Sequence, residues 1–266
     1  MTLEVISLGS DPAHEKPPVL LIHGAWHGAW CWQGNFLDYF ADHGFETHAL
    51  SLRGHGGSDG RARLNSARAR DYVADVEQVV DQIGRPPVLI GHSMGGYVTQ
   101  KYLERHPAAG GVLLASVPAS GTLNFNLEVL RTYPRDWLKV NLTRKVYALM
   151  ENPDHARYWL FSDQIDDASF AAHHAKLQDE AFPVLIDTLV LDRPKPDRVT
   201  TPMAVIGGGN DTIFPPRDIE KTAKAYGVTA KIFEDMPHNL MNDPDWQTVA
   251  QWIENWIDGL ASRAAA

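Results

Sequence analysis

Gly91-His92-Ser93-Met94-Gly95-Gly96 follows the apolar run Pro87-Val88-Leu89-Ile90 and precedes the helix-like stretch Tyr97-Val98-Thr99-Gln100-Lys101-Tyr102-Leu103. A serine with glycines two residues to either side fits a sharp strand-to-helix corner, because Gly91 and Gly95 remove side chains that would clash across the turn. The corner lifts the hydroxyl above the sheet edge. A hydroxyl is nevertheless a poor nucleophile at neutral pH, and needs an imidazole to take its proton and a carboxylate to orient that imidazole. Asp211, in Gly207-Gly208-Gly209-Asn210-Asp211-Thr212-Ile213-Phe214-Pro215, lies just past an expected strand at 203–206. His238, in Met236-Pro237-His238-Asn239-Leu240, lies just past another at 230–233. Ser93, Asp211 and His238 are therefore the candidate nucleophile, acid and base.

Acyl transfer also builds negative charge on a carbonyl oxygen, which fixed backbone N–H groups stabilise in a water-poor pocket. Met94 N–H, directly after the serine, is one candidate donor; Ala25 N–H, in Leu21-Ile22-His23-Gly24-Ala25-Trp26, is the second, with Trp26 as its neighbouring alternative. Trp26 is also the first candidate for the substrate pocket. Asp187, Asp192 and Asp197 are rival acids, but none follows an expected strand as Asp211 does. His23 and His55 are read as loop-shaping residues. His173 and His174 are adjacent, so on a helix their side chains diverge by about 100° and do not share a metal ion. Gly207-Gly208-Gly209 lacks the lysine of a phosphate-binding loop and is expected to be a tight turn that frees Asp211. No metal or cofactor is expected.

These residues need a scaffold that brings distant loops to one edge. Val19-Leu20-Leu21-Ile22 is a continuous apolar run between Pro17-Pro18 and Gly24, as in a strand buried on both faces. Similar runs occur at 45–50, 88–90, 111–115, 203–206 and 230–233. Helix-length segments at 30–43, 67–83, 97–106, 216–226 and 245–260 separate or follow them, which predicts an α/β fold: a mostly parallel central sheet with helices on both faces. The tail 261–266 is expected to fray. Between 117 and 199 the strand rhythm stops, and a connection of that length is too long for a plain loop. The expected organisation is a core of residues 1–116 and 200–266 with a mainly helical cap, 117–199, inserted into it. Leu123, Phe125, Leu127, Trp137, Trp159 and Phe161 are its candidate pocket residues, and the sequence does not choose among them.

The 266 residues, 44% of them hydrophobic, can build one substantial core. A net charge of −9 argues against a nucleic-acid partner, which requires a concentrated basic surface. Cys31 is the single cysteine, so burial and hydrogen bonds rather than disulfides hold the fold, as expected of a cytoplasmic protein. No run approaches the roughly 18 apolar residues of a membrane span, and no basic segment followed by an apolar one opens the chain. Oligomeric state is left open.

The His-Gly loop at 23–24, the Ser93 corner, Gly54-His55-Gly56-Gly57-Ser58, Asp211 and His238 together resemble the α/β-hydrolase superfamily over almost the whole chain. His23-Gly24-Ala25-Trp26-His27-Gly28-Ala29-Trp30-Cys31-Trp32 looks like the opening of small carboxylesterases related to plant methylesterases and hydroxynitrile lyases. Gly91-His92-Ser93-Met94-Gly95-Gly96 also looks like that of monoacylglycerol lipases. The resemblance implies a cofactor-free serine hydrolase acting on a small or medium hydrophobic carboxylic ester through an acyl-enzyme. Alternatives are a lipase for longer acyl chains, a carbon–carbon hydrolase or lyase, and a ligand receptor with little turnover. Ser93 in place of aspartate counts against dehalogenases and epoxide hydrolases, and Asn239 in place of lysine counts against the lyases.

Overall fold

The computed structural model describes residues 1–11, 13 and 15–264, with side chains through 260. Seven strands form one sheet: β1 (Val5–Leu8), β2 (Val19–Ile22), β3 (Thr47–Leu50), β4 (Val88–His92), β5 (Gly110–Leu114), β6 (Met203–Gly208) and β7 (Ala230–Phe233). Their order is β1-β3-β2-β4-β5-β6-β7, and every pairing is parallel except β1 with β3. The fold is thus α/β with a mostly parallel sheet. Strand β1 has no unbroken apolar run to mark it, since Ser7 interrupts it and its last two residues are exposed.

Alternation along each strand divides the core in two. Leu20 and Ile22 of β2, Leu89 of β4 and Leu113 of β5 point into one cluster; Val19, Leu21, Val88, Ile90, Val112 and Leu114 point into the other. On the first face lie α2 (Ala69–Ile83), α3 (Met94–Leu103) and α9 (Pro216–Ala225), contributing Tyr72, Val76, Val98 and Ile219. On the second lie α1 (Phe36–Asp42) and α10 (Trp246–Ala264), contributing Phe36, Phe40, Val249, Ile253 and Ile257. The inner strands β2, β4, β5 and β6 are buried along their whole length because helices cover both faces.

Local chemistry sets the element limits. The expected helix at 30–43 is broken: a 3-10 turn, Ala29–Trp32, precedes α1, and Gly34 between them has φ +75°. Asn35 caps α1 by accepting from Phe36 N at 2.6 Å. The glycine run at 207–209 is only in part a turn, since Gly207 and Gly208 end β6. A side chain at Gly208 would strike the Met236 and Pro237 carbonyls, so glycine lets the β7–α10 loop close over the end of β6. Five helices run between β5 and β6: α4 (Leu123–Thr132), α5 (Pro134–Thr143), α6 (Pro153–Leu160), α7 (Asp167–His174) and α8 (Phe182–Ile186), the last continued by a π-helical turn, Asp187–Leu191. Of the tail, α10 continues to Ala264, and residues 265 and 266 lie outside the described residues.

Phe40 is fully buried, with its ring edge-on to Phe36 and Phe45. Phe40→Ala is expected to lower unfolding free energy by about 3–5 kcal/mol, read from urea denaturation midpoints; a loss under about 1 kcal/mol contradicts the packing described.

Candidate active site

Ser93 occupies the one-residue corner between β4 and α3, with φ +52° and ψ −115°, a conformation that costs a non-glycine residue strain. The end of β5 holds that corner: Ser93 N donates to Leu114 O at 3.0 Å, and Val117 N donates to Ser93 O at 3.1 Å. Buried Gln100 braces the clamp by donating to Ser116 Oγ and Val117 O. Added carbons at Gly91 and Gly95 would meet backbone across the turn, the Gly95 carbonyl in one case and those of Ile22 and His23 in the other. Both positions therefore require glycine for the close approach of α3 to β2 and β4.

Asp211 follows the end of β6, and its Oδ1 accepts from Ile213 N at 2.8 Å and Phe214 N at 2.9 Å. Its other oxygen, Oδ2, lies 2.8 Å from Nδ1 of His238. That pairing places the proton on Nδ1 and leaves Nε2 as the basic nitrogen. Nε2 is buried without a hydrogen-bond partner among the described residues, and Ser93 Oγ likewise has none there. His238 follows β7, the far edge strand, yet reaches back toward β4. Asn210 N donates to Met236 O at 3.0 Å, and His92 Nε2 donates to the His238 carbonyl at 3.0 Å. His92, whose place beside Ser93 is the only sequence signal for it, thus ties the histidine loop to the serine corner.

The third loop follows β2. Among the described residues neither Ala25 N–H nor Met94 N–H has a hydrogen-bond partner, and both residues line the same cavity as Ser93. Trp26 lines it too, with φ +67° and its Nε1 donating to Val146 O. The cavity, of about 200 Å³, is walled by Phe125 and Val129 of α4, Trp137 and Val140 of α5, and Phe182 and Leu185 of α8. Among the described residues its polar side chains besides Ser93 are Thr122, Asn126, Asn141 and Thr188, and none that lines it is charged. Of the six candidate pocket residues from this segment, Phe125 and Trp137 line the cavity, Leu123 and Leu127 face solvent, and Trp159 and Phe161 are buried away from it. The rival acids are otherwise engaged or remote: Asp187 pairs with Arg68, Asp192 with Lys101, and Asp197 is exposed.

Residues 19–252 match the model of the Alpha/beta hydrolase family. The chain belongs to that family. It is 25% identical over 236 residues to the monoacylglycerol lipase of Mycolicibacterium smegmatis, a match covering 82% of this chain and 80% of that one. It is 26% identical over 254 residues to a non-heme chloroperoxidase of Streptomyces lividans, covering 85% and 86%. The crystal structure of the Paleococcus ferrophilus monoacylglycerol lipase superposes with a TM-score of 0.68 at 20% identity, covering 98% of this chain and 100% of that one.

This hydrolase surrounds its site with uncharged histidines. His23 accepts from Leu52 N at 3.0 Å and its Nδ1 donates to Gly24 O at 2.8 Å. His27 Nδ1 donates to Ala25 O at 2.7 Å, and its Nε2 faces the Asn239 amide at 3.3 Å. Burial holds His23 and His92 well below the ordinary histidine range and pulls His27 down to about 3. His55 is the exception. Burial alone would lower its pKa too, but Glu180, 3.1 Å away and equally buried, raises it above the ordinary value. Glu180 also accepts from Tyr72 OH at 2.6 Å, and its neighbour Gln178 bonds Trp26 O, Gly54 O and Gly56 N. The segment 178–181 therefore stitches the helices between β5 and β6 to the loops after β2 and β3, a role that its polar sequence does not advertise.

The signs follow from which state binds the proton. Below about pH 6.5 the unfolded chain protonates histidines that the fold keeps neutral, so stability falls with falling pH, down to a pH of about 3 for His27. His55 acts in a separate window: its contribution is complete below about 6.5 and is lost as pH rises through its higher folded pKa. His27→Gln is expected to make the acid-side slope shallower by roughly 1 kcal/mol per pH unit, measured as urea unfolding free energy at about pH 7, 6 and 5. An unchanged slope contradicts a neutral, buried His27.

Proposed function

We propose that this protein is a serine esterase that hydrolyses small or medium carboxylic esters with a hydrophobic acyl group through an acyl-enzyme. The observation that carries the reading is the His238 ring, with Nδ1 held by Asp211 at 2.8 Å and Nε2 unpartnered, in a loop tied through the His238 carbonyl to His92, next to a serine that stands at a glycine-flanked corner and lines an apolar cavity. Ser93 attacks the carbonyl carbon as His238 Nε2 takes its proton, and Asp211 stabilises the imidazolium. Ala25 N–H and Met94 N–H receive the developing oxyanion. His238 then returns the proton to the leaving alcohol, and the same imidazole activates the water that cleaves the acyl-enzyme. Hydrogen bonds between catalytic groups are commonly loose before substrate arrives, so the unpaired Ser93 hydroxyl fits a resting site. No metal or cofactor is needed by this chemistry.

In this reading 117–199 is the cap over a core of 1–116 and 200–266, and its uncharged cavity wall selects an uncharged acyl chain, since an unpaired charge there would be desolvated. The single, free and buried Cys31 supports a cytoplasmic location. Among the described residues no helix is long and apolar enough to cross a membrane.

Two outcomes test the assignment. Ser93→Ala is expected to lower kcat on p-nitrophenyl esters by roughly 10⁵-fold or more with an unchanged circular dichroism spectrum and Tm; wild-type turnover overturns the reading. Val129→Phe, which fills the cavity from α4, is expected to cost roughly 10-fold or more in kcat/KM for each further methylene once the acyl chain exceeds the reduced space, while acetate ester hydrolysis is spared. Equal losses on acetate and longer esters contradict an acyl site there.

A further inference from the structure

Helices α4 and α5 are apolar on two faces. Their inner faces, with Phe125, Val129, Trp137 and Val140, wall the cavity. Their outer faces carry Leu123, Leu127 and Leu130 at spacings of four and three, and Leu138 and Leu142 at a spacing of four, all exposed, with Leu142 75% accessible. Val190 and Leu191, in the π-helical turn that packs on α4, are 60% and 61% accessible. Neither solubility nor the cavity needs these leucines, and apolar patches of this kind on a folded protein mark an interaction surface.

We propose that the outer face of α4 and α5 docks on an anionic lipid bilayer. Charge identifies the partner. Residues 121–149 hold five basic side chains, Arg131, Arg135, Lys139, Arg144 and Lys145, against two acidic ones, Glu128 and Asp136, in a chain of net charge −9. Lys139 pairs with Glu151, and Asp136 with His155. Arg131, Arg135, Arg144 and Lys145 are exposed and form no ion pair among the described residues. A leucine face rimmed by cations matches a bilayer whose headgroups are negative and whose interior accepts leucine. A second copy docking through the same face would set this positive rim against itself. The remaining acidic surface is repelled by the bilayer, which fixes the orientation. Asn141 both lines the cavity and is exposed, so the cavity reaches the surface on α5 beside Leu138 and Leu142. Docking there brings the cavity mouth to the membrane.

This surface does not depend on the ester chemistry, and its test uses the Ser93→Ala protein of residues 1–266. Co-sedimentation with vesicles of mixed phosphatidylcholine and phosphatidylglycerol is expected, falling with added salt and on phosphatidylcholine alone. Leu127→Glu with Leu142→Glu, two exposed positions outside the cavity, is expected to weaken the partition at least about tenfold with Tm unchanged. In the Ser93 background the same pair is expected to leave hydrolysis of a short soluble ester unaltered. Arg131→Gln with Arg144→Gln, which alters no apolar contact, is expected to flatten the salt dependence. Absence of vesicle binding, or binding indifferent to both pairs of substitutions, overturns the proposal. A concentration-dependent dimer abolished by the leucine pair would assign the face to a second copy instead.

Discussion

Everything at this site depends on one backbone turn, the reversal at Ser93 between β4 and α3. A positive φ at serine is unfavourable on its own and persists because neighbouring backbone over-determines it. Leu114 O and Val117 N grip the residue from the adjacent strand end, while Gly91 and Gly95 let α3 approach β2 and β4 more closely than any side chain would permit. The same turn sets Met94, the first residue of α3, directly after Ser93, and both residues line the cavity. Both consequences follow from sterics before any catalytic role is assigned.

The second requirement is that the loops of β6 and β7 reach that turn although their strands stand two and three places from β4 in the sheet, whereas β2 is its direct neighbour. Backbone bonds do most of this: the 234–238 loop lies over the end of β6, and His92 draws the His238 carbonyl toward β4. His23, His27 and His92 are neutral because burial disfavours their charged forms, and a neutral ring can donate from one nitrogen and accept at the other. His55 and Glu180 form the contrasting case, a buried pair in which the acid's charge outweighs burial and joins the loop after β3 to the segment between α7 and α8.

Strands β2, β4, β5 and β6 were legible because burial on both faces leaves apolar runs that periodicity finds, and β3 and β7 because they keep the same spacing between helix-length segments. β1 was not, since Ser7 interrupts its short apolar run and its last two residues are exposed, and the expected helix at 30–43 concealed the break made by Gln33-Gly34-Asn35. Ser93, Asp211 and His238 could be picked out because each follows a strand end, a position the sequence reveals; the hydrogen bond between Asp211 and His238 required coordinates. The bracing residues Gln100, Gln178 and Glu180 were hidden, because a polar residue outside a motif resembles a solvated one, and the role of His92 was hidden because its partner, the His238 carbonyl, lies far away in the chain. The cavity wall was half visible. Leu123 and Phe125 are equally apolar and two residues apart on α4, and only the packing direction of the helix separates a lining side chain from an exposed one.

The central claim is that Ser93 becomes covalently acylated with His238 as its base. Intact-protein mass spectrometry during rapid mixing with a p-nitrophenyl ester, followed by peptide mapping, tests it most directly. The account requires a transient mass increase of one acyl group, mapped to Ser93, absent from Ser93→Ala and formed far more slowly in His238→Ala. Steady hydrolysis with no acyl adduct, or an adduct mapped to another residue, would contradict it.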